Sequence, residues 1–336
     1  KPWEVGVVER VASQERAGGA VRAGSRVVRV LPDVPAIDKE FDYLVPPGTE
    51  VAVGDVVRVQ LHGRRVGAWI VAVDVEPEPG VQLKPLAKVS GRGPAPELID
   101  LAGWAAWRWA GRRASFLRTA APPAVVDVIP DLMVASSRAV ATVPPDPPDA
   151  VGLVDPVLSS ALGRERGVLR LAPGVDRYPL VHAAAVDATR RGGSCLVLCP
   201  AVDEAQLLGR RLAREGLTVA VVVDDDRPRR AAGEWARAAG GATVVVGARS
   251  AAWAPVRNLR RVLVLDEHDE VHQQEQSPTW HARDVVLERA RRVGAPALVV
   301  SPCPVLEALA WGNLVTTARA TARQGWSRVE VVDQRE

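Results

Sequence analysis

After Gly167 the chain alternates short, almost wholly apolar runs with segments of helical periodicity, and few folds accept that pattern. Val168–Leu171, Cys195–Cys199, Val219–Val223, Thr243–Val246, Val262–Leu265 and Ala297–Val300 read as strands, with a final strand at Val329–Val332. Leu180–Arg190, Asp203–Glu215, Arg229–Ala239, Ala282–Arg292 and the shorter Pro304–Trp311 read as the intervening helices. Strands with no polar alternation need cover on both faces, and intervening helices supply it. The pattern therefore predicts an α/β lobe built on a parallel sheet.

The N-terminal part obeys different rules. Arg26–Leu31, Phe41–Val45, Val56–Leu61 and Gly67–Val75 are short β-rich runs. Pro32-Asp33, Pro46-Pro47-Gly48, Gly54-Asp55 and His62-Gly63 separate them as turns. Four such strands with tight connections predict a small barrel or sandwich. Pro94–Ala110 follows as a helix with Leu98, Leu101, Ala105 and Trp109 on one face, and Trp104, Trp107 and Trp109 read as core. The expected organisation is a loose tail over 1–24, a β-rich unit with its trailing helix over 25–125, a linker over 126–167 and the parallel lobe over 168–336. The linker rests on Pro144-Pro145-Asp146-Pro147-Pro148, which fits neither helix nor central strand.

Charge limits the partners. With 43 Lys+Arg against 40 Asp+Glu the formal net charge is +3, so contact with nucleic acid should be local rather than a wrapping by bulk charge. Only Lys1, Lys39, Lys84 and Lys88 are lysine, and from Val89 onward there is none. That excludes a P-loop phosphate lysine or a Schiff-base lysine from the parallel lobe. The apolar runs are too short to span a bilayer, and no membrane partner is expected. Cys195, Cys199 and Cys303 are sparse and odd in number, which fits a reducing cytoplasm. The first two share one face of an apolar strand and read as core thiols.

The sharpest motif is Val262–Leu265 followed by Asp266-Glu267-His268. A buried strand ending in adjacent carboxylates presents them at the carboxyl edge of the sheet, where α/β folds bind ligands. In nucleotide hydrolases the first holds Mg²⁺ and the second orients water, although acidic loop residues also end many buried strands. A phosphate loop belongs between Val168–Leu171 and the next helix. There Leu171, Asp176, Arg177 and Tyr178 stand where Gly, Gly, Lys and Ser/Thr are required. The loop that contains Gly174, Asp176, Arg177 and Tyr178 is therefore a dismantled nucleotide loop, and ATP is not expected to bind. Gly247-Ala248-Arg249-Ser250 is either a phosphate contact through Arg249 and Ser250 or a capped turn. His268 and His272 are four residues apart but lack the order of a zinc-protease motif, and no metal site is expected in this segment.

Taken in order, Gly247–Ala251, Asn258-Leu259, Val262–Asp269 and Trp280–Asp284 resemble the PriA family of replication-restart helicases, also called primosomal protein N-prime. Phe41-Asp42-Tyr43, Pro46-Pro47-Gly48, Gly54–Val59 and Gly67 resemble the same family independently. The resemblance implies a β-barrel-like DNA-binding domain followed by a RecA-like parallel α/β helicase lobe. It also implies recognition of forks, single strands and 3′ DNA ends, with primosome and replisome proteins as partners near the nucleoid. Carried over residue by residue, the 3′-end pocket falls on Phe41, Asp42, Gly63 and Lys84. Asp266 and Glu267 become remnants of the ATPase motif, and Arg249 and Ser250 become contacts to the DNA backbone. The family's Ser-Ala-Thr-Pro motif reads Ser301-Pro302-Cys303-Pro304 here. The winged-helix region is expected to be reduced within 126–167. A second lobe with zinc-binding cysteines is expected to lie beyond this segment, which itself needs no cofactor. Two further readings stand beside this one: an active ATP-driven 3′→5′ helicase with a non-standard nucleotide site, and a generic two-domain α/β ligand-binding protein.

Overall fold

The computed structural model of the chain describes residues 26–35, 37–77, 81–132 and 156–327. The tail over 1–24, the proline cluster at 144–148 and the strand expected at 329–332 lie outside the described residues.

The N-terminal unit is a five-stranded antiparallel sheet of β1 (Val27–Pro32), β2 (Phe41–Leu44), β3 (Val56–Leu61), β4 (Arg64–Val73) and β5 (Lys88–Gly91), in the order β2-β1-β4-β3-β5. His62 and Gly63 both take positive φ (47° and 76°), the geometry of a two-residue hairpin turn matched to strand twist. The register shifts at Arg29/Val30 and at Val56/Val57, and such shifts bend a sheet. One segment then closes it. Leu44 N donates to Lys84 O and Leu86 N to Leu44 O, both at 2.9 Å, while Ala87 N donates to Arg58 O at 2.9 Å. Residues 84–91 thus join the β2 edge to the β3 edge, and a barrel results. Val28, Val30, Tyr43, Val57, Val59 and Ile70 fill it.

The lobe is a seven-stranded parallel sheet. Its strands are β6 (Arg166–Arg170), β7 (Ser194–Leu198), β8 (Val219–Val222), β9 (Val244–Gly247), β10 (Leu259–Leu265), β13 (Ala297–Ser301) and β14 (Asn313–Thr316). The strand order is β14-β6-β13-β10-β7-β9-β8. It places β6, which leads into the dismantled loop, one strand from β10, which ends at Asp266. A two-stranded ribbon, β11 (Gln273–Gln274) and β12 (Trp280–His281), follows β10. Cys195 and Cys199 are fully buried, and burial pushes the Cys195 thiol up to about 12.

Two helices, Pro96–Arg108 and Arg113–Ala120, tie barrel to lobe. The second was not legible in the sequence. Leu98, Leu101, Phe116 and Leu117 share one buried cluster with Trp253, Trp280 and Val285 of the lobe. Ring centroids lie 6.3 Å apart for Trp109–Phe116, 5.6 Å for Phe116–Trp253 and 5.9 Å for Trp253–Trp280. The barrel is therefore mounted on the lobe through a continuous core.

One expectation needs correction. Trp107 is 79% exposed, because it lies off the stripe formed by Leu98, Leu101 and Ala105. The stretch expected as a linker contains ordered contacts. Val126 is buried against the helix Pro228–Ala239, and Pro156–Leu162 is helical, with its proline at the first position, where no backbone donor is needed.

Candidate functional site

Phe41 and Asp42 are consecutive on β2 and so face opposite sides of the sheet, with Phe41 packed against the barrel core, while the Lys84 backbone carbonyl accepts from Leu44 N of the same strand. Gly63 sits apart, at the tip of the β3–β4 hairpin, where an added Cβ would meet nothing within 4 Å. Lys39 Nζ stands 5.9 Å from the Phe41 ring centroid. Asp42 faces Arg29 across the β1–β2 ladder, and the pair is bidentate: Nε to Oδ1 at 2.8 Å and Nη2 to Oδ2 at 3.1 Å. The Asp42 side chain is 12% exposed against 37% for Arg29. Sequence reasoning missed Arg29, since its partner is 13 residues away and only the strand register brings them together.

The dismantled loop between β6 and the helix Tyr178–Arg190 has its polar groups spent internally. Gly174 N donates to Gly325 O at 2.9 Å and Val175 N to Ala172 O at 3.2 Å. Tyr178 N donates to Asp176 Oδ1 at 2.9 Å. That amide bond, with the salt bridge from Arg211, holds the Asp176 carboxyl below its usual range. Arg211 in turn covers the Tyr178 ring, 3.7 Å from the centroid. The Arg177 guanidinium crosses the cleft to Asp266 Oδ2 at 2.5 Å and to Glu204 Oε1 at 3.2 Å. Asp266 is also held at φ 46°, an uncommon conformation for a non-glycine residue.

Glu267 faces inward. It is 1% exposed, its Oε2 is 3.1 Å from Arg283 Nη1, and its Oε1 accepts from Val305 N at 2.9 Å. Arg283 belongs to the Trp280–Asp284 string already singled out, so a signal for it was present. His268 Nδ1 and Ser301 Oγ are 2.9 Å apart, linking the end of β10 to the end of β13. His272 Nε2 lies 3.0 Å from Leu265 O. The two histidines thus serve separate partners, and no group of three or more His, Cys, Asp or Glu among the described residues is placed to hold a metal ion.

Arg249 and Ser250 open a 3₁₀ turn, Arg249–Trp253. Arg249 Nη1 donates to the Val271 carbonyl at 3.1 Å and to the Gln273 carbonyl at 2.9 Å. The Ser250 hydroxyl is buried without a hydrogen-bond partner among the described residues. No helix of the described residues is long and apolar enough to cross a membrane.

Residues 29–122 match the family model of the PriA 3'DNA-binding domain (3'BD). The chain is 29% identical over 327 residues to the probable replication restart protein PriA of Mycobacterium leprae, covering 89% of this chain and 49% of that protein. It is 30% identical over 153 residues to the replication restart protein PriA of Bacillus subtilis, covering 44% of this chain and 19% of that protein. It thus spans about half the length of the mycobacterial relative and less of the other. Among solved structures, the Pyrococcus furiosus Hef helicase domain is similar over 52% of this chain and 40% of that chain, with 13% identity and a TM-score of 0.38. The 3'BD match thus covers the barrel, and the likeness to the mycobacterial replication restart protein runs on through the lobe.

Proposed function

We propose that this chain recognises 3′ DNA ends and stalled forks and supports primosome assembly in the cytoplasm, without hydrolysing ATP. The carrying observation is Arg177. Its guanidinium lies between Asp266 and Glu204, and the sequence puts it where the pattern requires the P-loop lysine. A triphosphate does not fit these residues. The amides of Gly174, Val175 and Tyr178 already have acceptors, and Asp176 adds negative charge where phosphates would lie. Glu267 is committed to Arg283 and the Val305 amide, away from any attacking water. What remains is a rigid lobe that carries a DNA-binding barrel. Its chemistry is recognition: an aromatic for a terminal base, a carboxylate for a 3′-hydroxyl and a lysine for a phosphate. The partners would be DNA and the proteins of the primosome and replisome.

Isothermal titration with ATP and Mg²⁺ tests the first half of this reading, and no saturable heat in the micromolar range is expected. A saturable signal that Asp266→Ala abolishes would overturn it and favour an active helicase. Binding of a recessed 3′-hydroxyl end tests the second half, as developed in the Discussion.

A further inference from the structure

A cavity of about 860 Å³ opens between the barrel, the helix Pro96–Arg108 and the lobe. That size lies within the range of sites for nucleotide-sized ligands, about 300–1,000 Å³. Five arginines and three carboxylates line it. Arg92 is paired with Asp55, and Arg292 with Glu288. Arg289 is different. It lies on the helix Ala282–Val293 and is 5% exposed, yet it borders the cavity. Its Nη1 donates to the Ala252 carbonyl at 2.7 Å. Its helix neighbours Arg283, Arg291 and Arg292 each hold a carboxylate, whereas Arg289 holds none among the described residues. Burial lowers it to about 10, with Glu97 opposing, so it remains a cation at neutral pH. A buried cation that no carboxylate among the described residues reaches as an ion pair is disfavoured, and an anion entering the cavity would offset that. Arg260, exposed on the same lining, likewise has no carboxylate partner among the described residues.

The rest of the lining narrows the anion. Leu101, Val128, Ile129 and Trp235 form an apolar wall, and Val128 is 77% exposed. Glu97 and Asp127 stand on the same lining, so a polyacidic chain would meet repulsion there. A single phosphate joined to an uncharged flat group would not. Guanidinium forks also suit phosphate oxygens well. We propose that this cavity binds one nucleotide unit, free or within a DNA strand, with its phosphate on Arg289 and Arg260 and its base on the apolar wall. Binding within a strand rests on the DNA-binding reading above, and the site is separate from Phe41, Asp42 and Lys84.

The test uses fluorescent (dT)8 carrying a 3′-phosphate, to disfavour the end pocket, with thymidine monophosphate, inorganic phosphate and polyglutamate as competitors. Arg289→Met is expected to weaken binding tenfold or more while leaving Tm unchanged or raised, because an unpaired buried charge is removed. Arg260→Ala, at an exposed position that cannot threaten folding, is expected to weaken binding at least threefold and to lower the salt slope by about one. Competition by the monophosphate marks a site for free nucleotides, whereas binding of (dT)8 alone marks a site that needs the strand. Asp42→Ala is expected to erase any 3′-hydroxyl preference, whereas the fold-losses caused by Arg289→Met and Arg260→Ala persist in its background, so the two readings fail separately. Unchanged (dT)8 affinity in both arginine variants, or polyglutamate competing as well as the monophosphate, would overturn the proposal.

Discussion

The Arg29–Asp42 pair makes end recognition a quantitative question. A 3′-hydroxyl that donates to Asp42 must share its carboxylate with the Arg29 fork, which already occupies both oxygens at 2.8 and 3.1 Å. A hydrogen bond to a charged acceptor is worth about 1.5–3 kcal/mol, so losing it should cost about tenfold or more in affinity. Charge repulsion adds less than an isolated carboxylate would suggest, because Arg29 neutralises Asp42 at close range. The preference of the wild type for a 3′-hydroxyl over a 3′-phosphate end should therefore be about tenfold, set by the hydrogen bond. Asp42→Ala should bring the two ends within about twofold of each other. Its effect on folding should stay within about 1 kcal/mol, since Arg29 is 37% exposed and solvent can take over its charge. Arg29→Gln should act in the opposite sense: Asp42 becomes a bare carboxylate, and discrimination against the 3′-phosphate rises above the wild-type value. Fluorescence anisotropy on matched recessed duplexes at fixed salt reads all three. Equal binding of both ends by the wild type, or a preference that survives in Asp42→Ala, refutes the assignment and leaves Asp42 as a ladder ion pair.

Three further outcomes follow from particular contacts. Arg261 is 2% exposed and leans on Asp187 at 2.6 Å, so Asp187→Ala strands a buried charge and should cost about 3 kcal/mol by chemical denaturation. His281 is pushed down to about 4 by burial and by the Arg283 charge, while its Nδ1 accepts from Arg283 N. With the folded value below the unfolded one of about 6.5, its contribution is fully present above pH 6.5 and is lost as pH falls toward 4. His281→Gln should flatten that part of the stability profile in thermal melts. Arg249→Ala removes two charge-assisted bonds to the Val271 and Gln273 carbonyls and should lower stability by about 1.5 kcal/mol. A salt slope for DNA lowered by about one would mark Arg249 as a phosphate contact, whereas an unchanged slope would leave it as a residue that holds the turn.

The parts of this protein that are legible in its sequence are those decided by short-range periodicity and by residue chemistry. Apolar runs of four or five residues between amphipathic segments specify a doubly covered parallel sheet, because every residue of such a strand must be buried. The departure from the phosphate-loop pattern is equally local: Leu171, Asp176 and Tyr178 stand where Gly, Gly and Ser or Thr are required. Cys195 and Cys199 read as core thiols for the same reason, and they are buried. What tertiary structure alone decided are the partners of charged groups. Arg177 and Asp266 are 89 residues apart, and Arg29 and Asp42 become neighbours only through the register of β1 on β2. Closure of the barrel by residues 84–91, the burial of the Ser250 hydroxyl and the exposure of Trp107 belong to the same class. An arginine can satisfy its charge with any carboxylate or carbonyl the fold brings within reach, so its role depends on the assembled neighbourhood. A buried valine needs only an apolar one, and the pattern of its own strand already specifies that.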